Sequence, residues 1–110
     1  MNRIVELGQL LDYYGAFLTE RQSTLLRQYA FEDCSLSEIA EREGISRQAV
    51  RDAIARGEAE LRTMEERLRL IARTERTKKL LSRARGMELT AELTAVVSEL
   101  SRLWEGNDGV

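Results

Sequence analysis

Residues 35–56 read SLSEIAEREGISRQAVRDAIAR, and this stretch decides the fold. Ser35 followed three residues later by Glu38 is a capping-box pattern: the hydroxyl accepts from a first-turn N–H, and the carboxylate reaches back to the cap's own N–H. It opens a short helix over about Leu36 to Glu43 that buries Leu36, Ile39 and Ala40. Gly44 stops it, because a tight helix end wants a residue that tolerates positive φ. Ile45 plugs the turn and Ser46 caps the next helix. In that helix Val50, Ile54 and Gly57 fall on one side at about 100° per residue; Gln48, Asp52 and Ala55 fall opposite, with Arg47 and Arg51 on the flank. Two helices joined by a glycine turn, the second with a polar outer face, form a helix-turn-helix. In that motif the first helix braces a second that lies in the major groove of DNA. Glu43 breaks the pattern, since its place on the Leu36/Ile39/Ala40 face is usually apolar. Its carboxylate must reach solvent or pair with an arginine.

The outer face of the second helix carries chemistry that suits nucleic acid. Arg47 and Arg51 can grip guanine O6 and N7, Gln48 can do the same for adenine N6 and N7, and Asp52 is a further base-readout candidate. The first turn, opened by Ser46, presents free N–H groups and the positive end of the helix dipole to a phosphate. Arg42 and Arg56 are phosphate candidates, with Arg62 a further one. The plain alternative is a solvated, arginine-rich helix in an ordinary bundle.

Upstream, Leu7, Leu11, Tyr14 and Leu18 recur at helical spacing from about Arg3, with Leu10 and Phe17 widening the stripe and Gly15 loosening the last turn. Thr19 and Gln22 form a second capping-box pattern, predicting a helix to about Phe31 with Leu25, Leu26 and Tyr29 inward; Glu32-Asp33-Cys34 reads as a loop. The helical spacing of Tyr13, Tyr14, Phe17, Tyr29 and Phe31 points to core packing rather than to stacking on RNA bases. Downstream, Val50, Ile54, Gly57, Leu61, Met64, Leu68 and Ile71 step by three and four, so the fourth helix is long. The stripe falters at Glu75 and Lys78, which predicts a bend or short break near residues 72–77, and Gly86 reads as a stop. Leu89, Leu93, Val96, Leu100 and Leu103 then alternate steps of four and three, an a/d seam with Trp104 beside it, before a frayed tail at 105–110. That reading has five helices: a helix-turn-helix domain over residues 1–71 and a helical extension over 72–110. A seam so apolar predicts a homodimer through residues 87–104, with folding back onto the protein's own helices as the competing outcome.

Composition narrows the function. The chain has 110 residues, 43% hydrophobic and 33% charged, which fits one small domain with or without an appended element and leaves a thin stability margin. There is no His, so there is no His metal ligand, Ser-His triad or Cys-His dyad. A single Cys, Cys34, permits no internal disulfide and no Cys cluster. The seven Gly are scattered and form no phosphate-binding loop, and the lack of Pro suits a nearly all-helical chain. No catalytic residue, metal or cofactor is assigned, and the reading is of a non-enzyme. No stretch approaches the ~20 apolar residues of a spanning helix, and no signal peptide opens the chain, so the expectation is a cytoplasmic protein. The net charge of −2 hides an asymmetry: residues 42–85 carry thirteen Lys/Arg against seven Asp/Glu, while the segments on either side are acidic. A basic middle of this kind can meet a polyanion or can be a salt-bridged solvated face.

Residues 17–69 resemble region 4 of bacterial sigma factors, although the chain is too short to hold a whole sigma factor's promoter-melting and core-binding regions. More closely, LLDYYGAFLTERQ (10–22), Tyr29, SLSEIAE (35–41) and ISRQAVRDAI (45–54) resemble the YlxM family of small bacterial helix-turn-helix proteins. The resemblance covers roughly residues 7–85; the C-terminal 25 residues carry no signature. It implies an all-α fold and binding of double-stranded DNA for transcription regulation. Because genes of the family tend to lie beside those for signal recognition particle components, it also implies a role in that targeting pathway. The alternative it leaves open is an adaptor that binds the particle's protein or RNA through the same basic face.

Overall fold

The computed structural model describes residues 2–105, and among these the chain is helix and loop with no strand. The order is α1 (Arg3–Tyr14), a 3₁₀ turn (Gly15–Phe17), α2 (Glu20–Ala30), α3 (Leu36–Glu43), α4 (Arg47–Leu68), α5 (Leu70–Arg85) and α6 (Ala91–Glu105). They form two compact units, one ending at Arg69 and the other beginning at Leu70.

The local signals act where the spacing places them. Thr19 and Ser35 both close full capping boxes, with Gln22 and Glu38 returning the bond to the cap residue. The Ser35 N–H and hydroxyl hold the Glu38 carboxyl below the usual carboxylate range. Gly44 sits in the left-handed region at φ 68°, its N–H bonded to the Ala40 carbonyl, and Ile45 N–H bonds the same oxygen at 3.1 Å. Within the first unit Leu7, Leu11, Tyr14, Leu25, Leu26, Ile39, Val50 and Leu61 are almost wholly buried, so α1 to α4 share one core. Each such side chain contributes about 1.5–3 kcal/mol of burial. Gly57 lets α4 approach α2: a Cβ there would stand 2.5 Å from Leu26 Cδ1.

Polar ties lie on the rim of this core. Glu58 accepts from Arg3 at 2.6 Å and from Arg62 at 2.9 Å, Arg3 also donates to Tyr29 Oη at 3.2 Å, and Arg62 reaches Glu6 at 3.4 Å. Tyr14, buried in the core, donates through its hydroxyl to Glu65 at 2.6 Å. Exposed pairs of this kind give only about 0.2–1 kcal/mol each, so apolar packing carries the unit. Cys34 is buried at the corner between α2 and α3, its Sγ 3.8 Å from the Glu32 carbonyl oxygen.

Three expectations need correction. The interruption in the long helical stretch is not within 72–77, where α5 runs unbroken, but at Arg69, which adopts φ 59° and closes α4 with a 2.8 Å bond from its N–H to the Glu65 carbonyl. The polar residues Glu75 and Lys78 are simply exposed positions of α5, and the described chain has six α-helices rather than five. Second, Phe17 and Phe31 are exposed, because one lies on the 3₁₀ turn and the other just beyond α2, where the helical stripe no longer applies. Third, Leu36 is only half-buried, at the first turn of α3. The frayed tail lies outside the described residues, apart from Glu105 at the end of α6.

In the second unit α5 and α6 form a hairpin, with Gly86 ending α5 and Thr90 Oγ1 accepting from Leu93 N–H at the start of α6. The face of α6 turned to α5 is its small one. Ser101 is buried and accepts from Arg85, and Val97 and Ser98 are half-buried. The leucine seam faces away.

Candidate nucleic-acid interface

The turn between α3 and α4 is built from the inside out. Ile39 and Ala40 on α3 meet Val50 and Ile54 on α4, all buried, and Ile45 is half-buried beneath the turn. With those four residues and Gly57 inward, the helical period turns Arg47, Gln48, Arg51, Asp52 and Ala55 outward, and all five are exposed. Ser46 accepts from Ala49 N–H at 3.0 Å and through its carbonyl from Val50 N–H, so it serves the helix as its cap while the first two N–H groups of α4 stay at the surface.

The outward face has its own order. Gln48 Nε2 donates to Asp52 Oδ1 at 2.9 Å, one turn apart, which fixes the amide's rotamer and leaves its carbonyl oxygen and second N–H for a ligand. Among the described residues Arg47, Arg51 and Arg56 are in no salt bridge, and all three are exposed. They form a cationic, solvated strip along the first turns of α4.

Arg42 and Arg62 stand differently. Arg42 donates to Glu32 at 3.1 Å and to Gln28 Oε1 at 3.3 Å, which ties it to α2 and the loop that follows, although half of its side chain remains accessible. Arg62 is drawn to α1 by Glu6 and to Glu58 on its own helix, away from the Arg47–Arg56 strip.

The contact that sequence reasoning missed is the partner of Glu43. Its Oε2 accepts from Gln28 Nε2 at 3.1 Å and its Oε1 lies 3.5 Å from Arg21. Gln28 is 4% exposed, so the carboxylate satisfies a buried amide and anchors α3 to α2. The clue was in the sequence as the polar intrusion at Glu43, but nothing there singled out Gln28.

Comparison with known proteins agrees with this geometry. A family model described as "Putative helix-turn-helix protein, YlxM / p13 like" matches residues 1–99. The UPF0122 protein STH1464 of Symbiobacterium thermophilum is 42% identical over 103 residues, 94% of this chain and 96% of its own. The UPF0122 protein GK1195 of Geobacillus kaustophilus is 39% identical over 94% of this chain and 98% of its own. The UPF0122 protein YlxM of Bacillus subtilis is 35% identical over 94% and 97% respectively.

Proposed function

From a chain that belongs to the UPF0122 family of YlxM/p13-like helix-turn-helix proteins, we propose a regulator that binds double-stranded DNA by placing the N-terminal turns of α4 in the major groove. One observation carries the reading: Arg47, Gln48, Arg51 and Asp52 share an exposed face whose two arginines are in no salt bridge among the described residues. Arg47, Gln48 and Arg51 read base edges, and Asp52 orients Gln48 as well as offering an acceptor to cytosine. Arg56 and the first-turn N–H groups after Ser46 hold phosphates, and Arg42 joins them at the cost of its Glu32 pair. The unit that ends at Arg69 is the DNA-binding domain, and the unit that begins at Leu70 is its extension. No helix among the described residues is long and apolar enough to cross a membrane, which fits a cytoplasmic protein without a membrane partner. The link to signal recognition particle genes comes from the family resemblance alone.

Selection from a random duplex pool tests this. Arg47→Ala or Gln48→Ala flattens preference at one position, for a loss of about 1–3 kcal/mol. Arg56→Ala leaves the selected sequence unchanged and lowers the salt slope by about one. With a net charge of −2 the protein gains little long-range attraction, so non-specific binding is weak at physiological salt. A wild type that selects no sequence even at low salt, and whose binding to the particle's protein or RNA duplex DNA never competes away, replaces the regulator by an adaptor of the targeting machinery.

A further inference from the structure

The face of α6 that carries Leu93, Val96, Leu100, Leu103 and Trp104 is between 41% and 64% exposed at each position. The five side chains present roughly 450 Å² of apolar surface as one stripe, the size of the largest patch on a typical monomer and one that is often functional. Two such stripes come to roughly 900 Å², and the α5 surface buried opposite them brings the total into the ~1,200–2,000 Å² range of a stable interface.

The charges beside the stripe say what covers it. Glu92 and Glu99 border the seam on one side, seven residues apart. On α5, Arg76 and Arg83 border the exposed Leu80, also seven residues apart. Both pairs therefore span about 10.5 Å along a helix. All four charges are exposed, and none of them is in a salt bridge among the described residues. A bare α6–α6 coiled coil gives these glutamates no cation. Its other flanking positions are Thr90, Val97 and Trp104, and an antiparallel pairing sets glutamate against glutamate.

We infer that the α5–α6 hairpin is a homodimerisation module: the α6 seam of each copy seats on the Leu80 face of the other's α5, with Glu92 and Glu99 against Arg76 and Arg83, closing a four-helix bundle. The arrangement is two-fold symmetric, as a self-complementary patch requires, and two helical hairpins joined this way are an ordinary bundle topology. It does not rest on DNA binding. If α4 also reads bases, the dimer brings two recognition helices to the same DNA.

Light scattering of the full chain over a concentration series, without DNA, gives the test. The wild type shows a dimer mass that dissociates on dilution. Leu100→Glu, at an exposed position, is monomeric with unchanged helical circular dichroism. Glu92→Arg with Glu99→Arg raises the dimer dissociation constant about tenfold or more, since symmetry counts each pair twice. Adding Arg76→Glu and Arg83→Glu brings it back towards the wild-type value. A wild type that stays monomeric at high concentration overturns the inference, as does a dimer that survives Leu100→Glu or a charge swap that restores nothing.

Discussion

The two units spend their leucines in opposite ways. In Arg3–Leu68 most of the long apolar side chains of the stripes, Leu7, Leu11, Leu25, Leu26, Ile54 and Leu61 among them, are buried within the same unit, and the rim is stitched by Arg3, Arg62 and Glu58. In the second unit α5 buries Ile71 and Leu81, whereas α6 turns only Val97, Ser98 and Ser101 inward and leaves Leu93, Val96, Leu100 and Leu103 exposed. Hydrophobic periodicity locates a stripe in both cases. It does not say whether the cover is another helix of the chain, and in the second unit the strongest stripe of α6 is not the face turned inward.

Core truncation gives the sharpest contrast. Leu61→Ala, at a fully buried position, costs about 2–5 kcal/mol in denaturant unfolding. Leu103→Ala, measured at a dilution where the chain is single, stays within about 0.5 kcal/mol. A comparable loss at both positions breaks the comparison. Next comes Glu43→Leu, which adds apolar surface but strips the buried Gln28 amide of its carboxylate acceptor. The expected loss is about 1–3 kcal/mol, and Glu43→Gln, which keeps an acceptor, loses less; a stabilised Glu43→Leu protein removes the anchor from the account.

The glycines separate the units on a smaller scale. Gly44→Ala costs roughly 1–2 kcal/mol from its left-handed backbone alone, because nothing lies within 4 Å of the added Cβ. Gly86→Ala meets only ordinary contacts, the nearest being the Arg83 carbonyl oxygen at 3.5 Å, and stays within about 0.5 kcal/mol. Equal thermal shifts for the two deny Gly44 its special backbone. The smallest effect is one of pH. Glu38 titrates below its unfolded value, so its capping contribution is complete above the ordinary carboxylate pKa and fades as pH falls through the lowered one. The Ser35 amide resonance should track that midpoint, and a midpoint at or above the ordinary value dissolves the box.

The first unit was legible because its signals are local. Thr19 with Gln22, Ser35 with Glu38, and Gly44 each act within four residues, and the inward set Ile39, Val50 and Ile54 follows from period alone. Arg69 was not legible, since arginine carries no preference for the left-handed region that ends α4. Exposure of Phe17 and Phe31 depends on where the helices stop, which periodicity places only to within a few residues. Of the candidate site, the exposure of Arg47, Gln48, Arg51, Asp52 and Arg56 could be read from the helical wheel. The ties that hold Arg42 to Glu32 and Arg62 to Glu6 could not, because they join residues on separate elements.

Cys34 gives the protein a built-in clock. It is the chain's one thiol, and it is buried where α2 turns into α3, so a thiol reagent reaches it only when that corner opens. When reclosing is faster than modification, the labelling rate measures the opening free energy of the corner. No tag or added cysteine is needed. Operator DNA that bound and steadied the neighbouring helix-turn-helix would slow the clock, and DNA that merely met the surface would leave its rate unchanged.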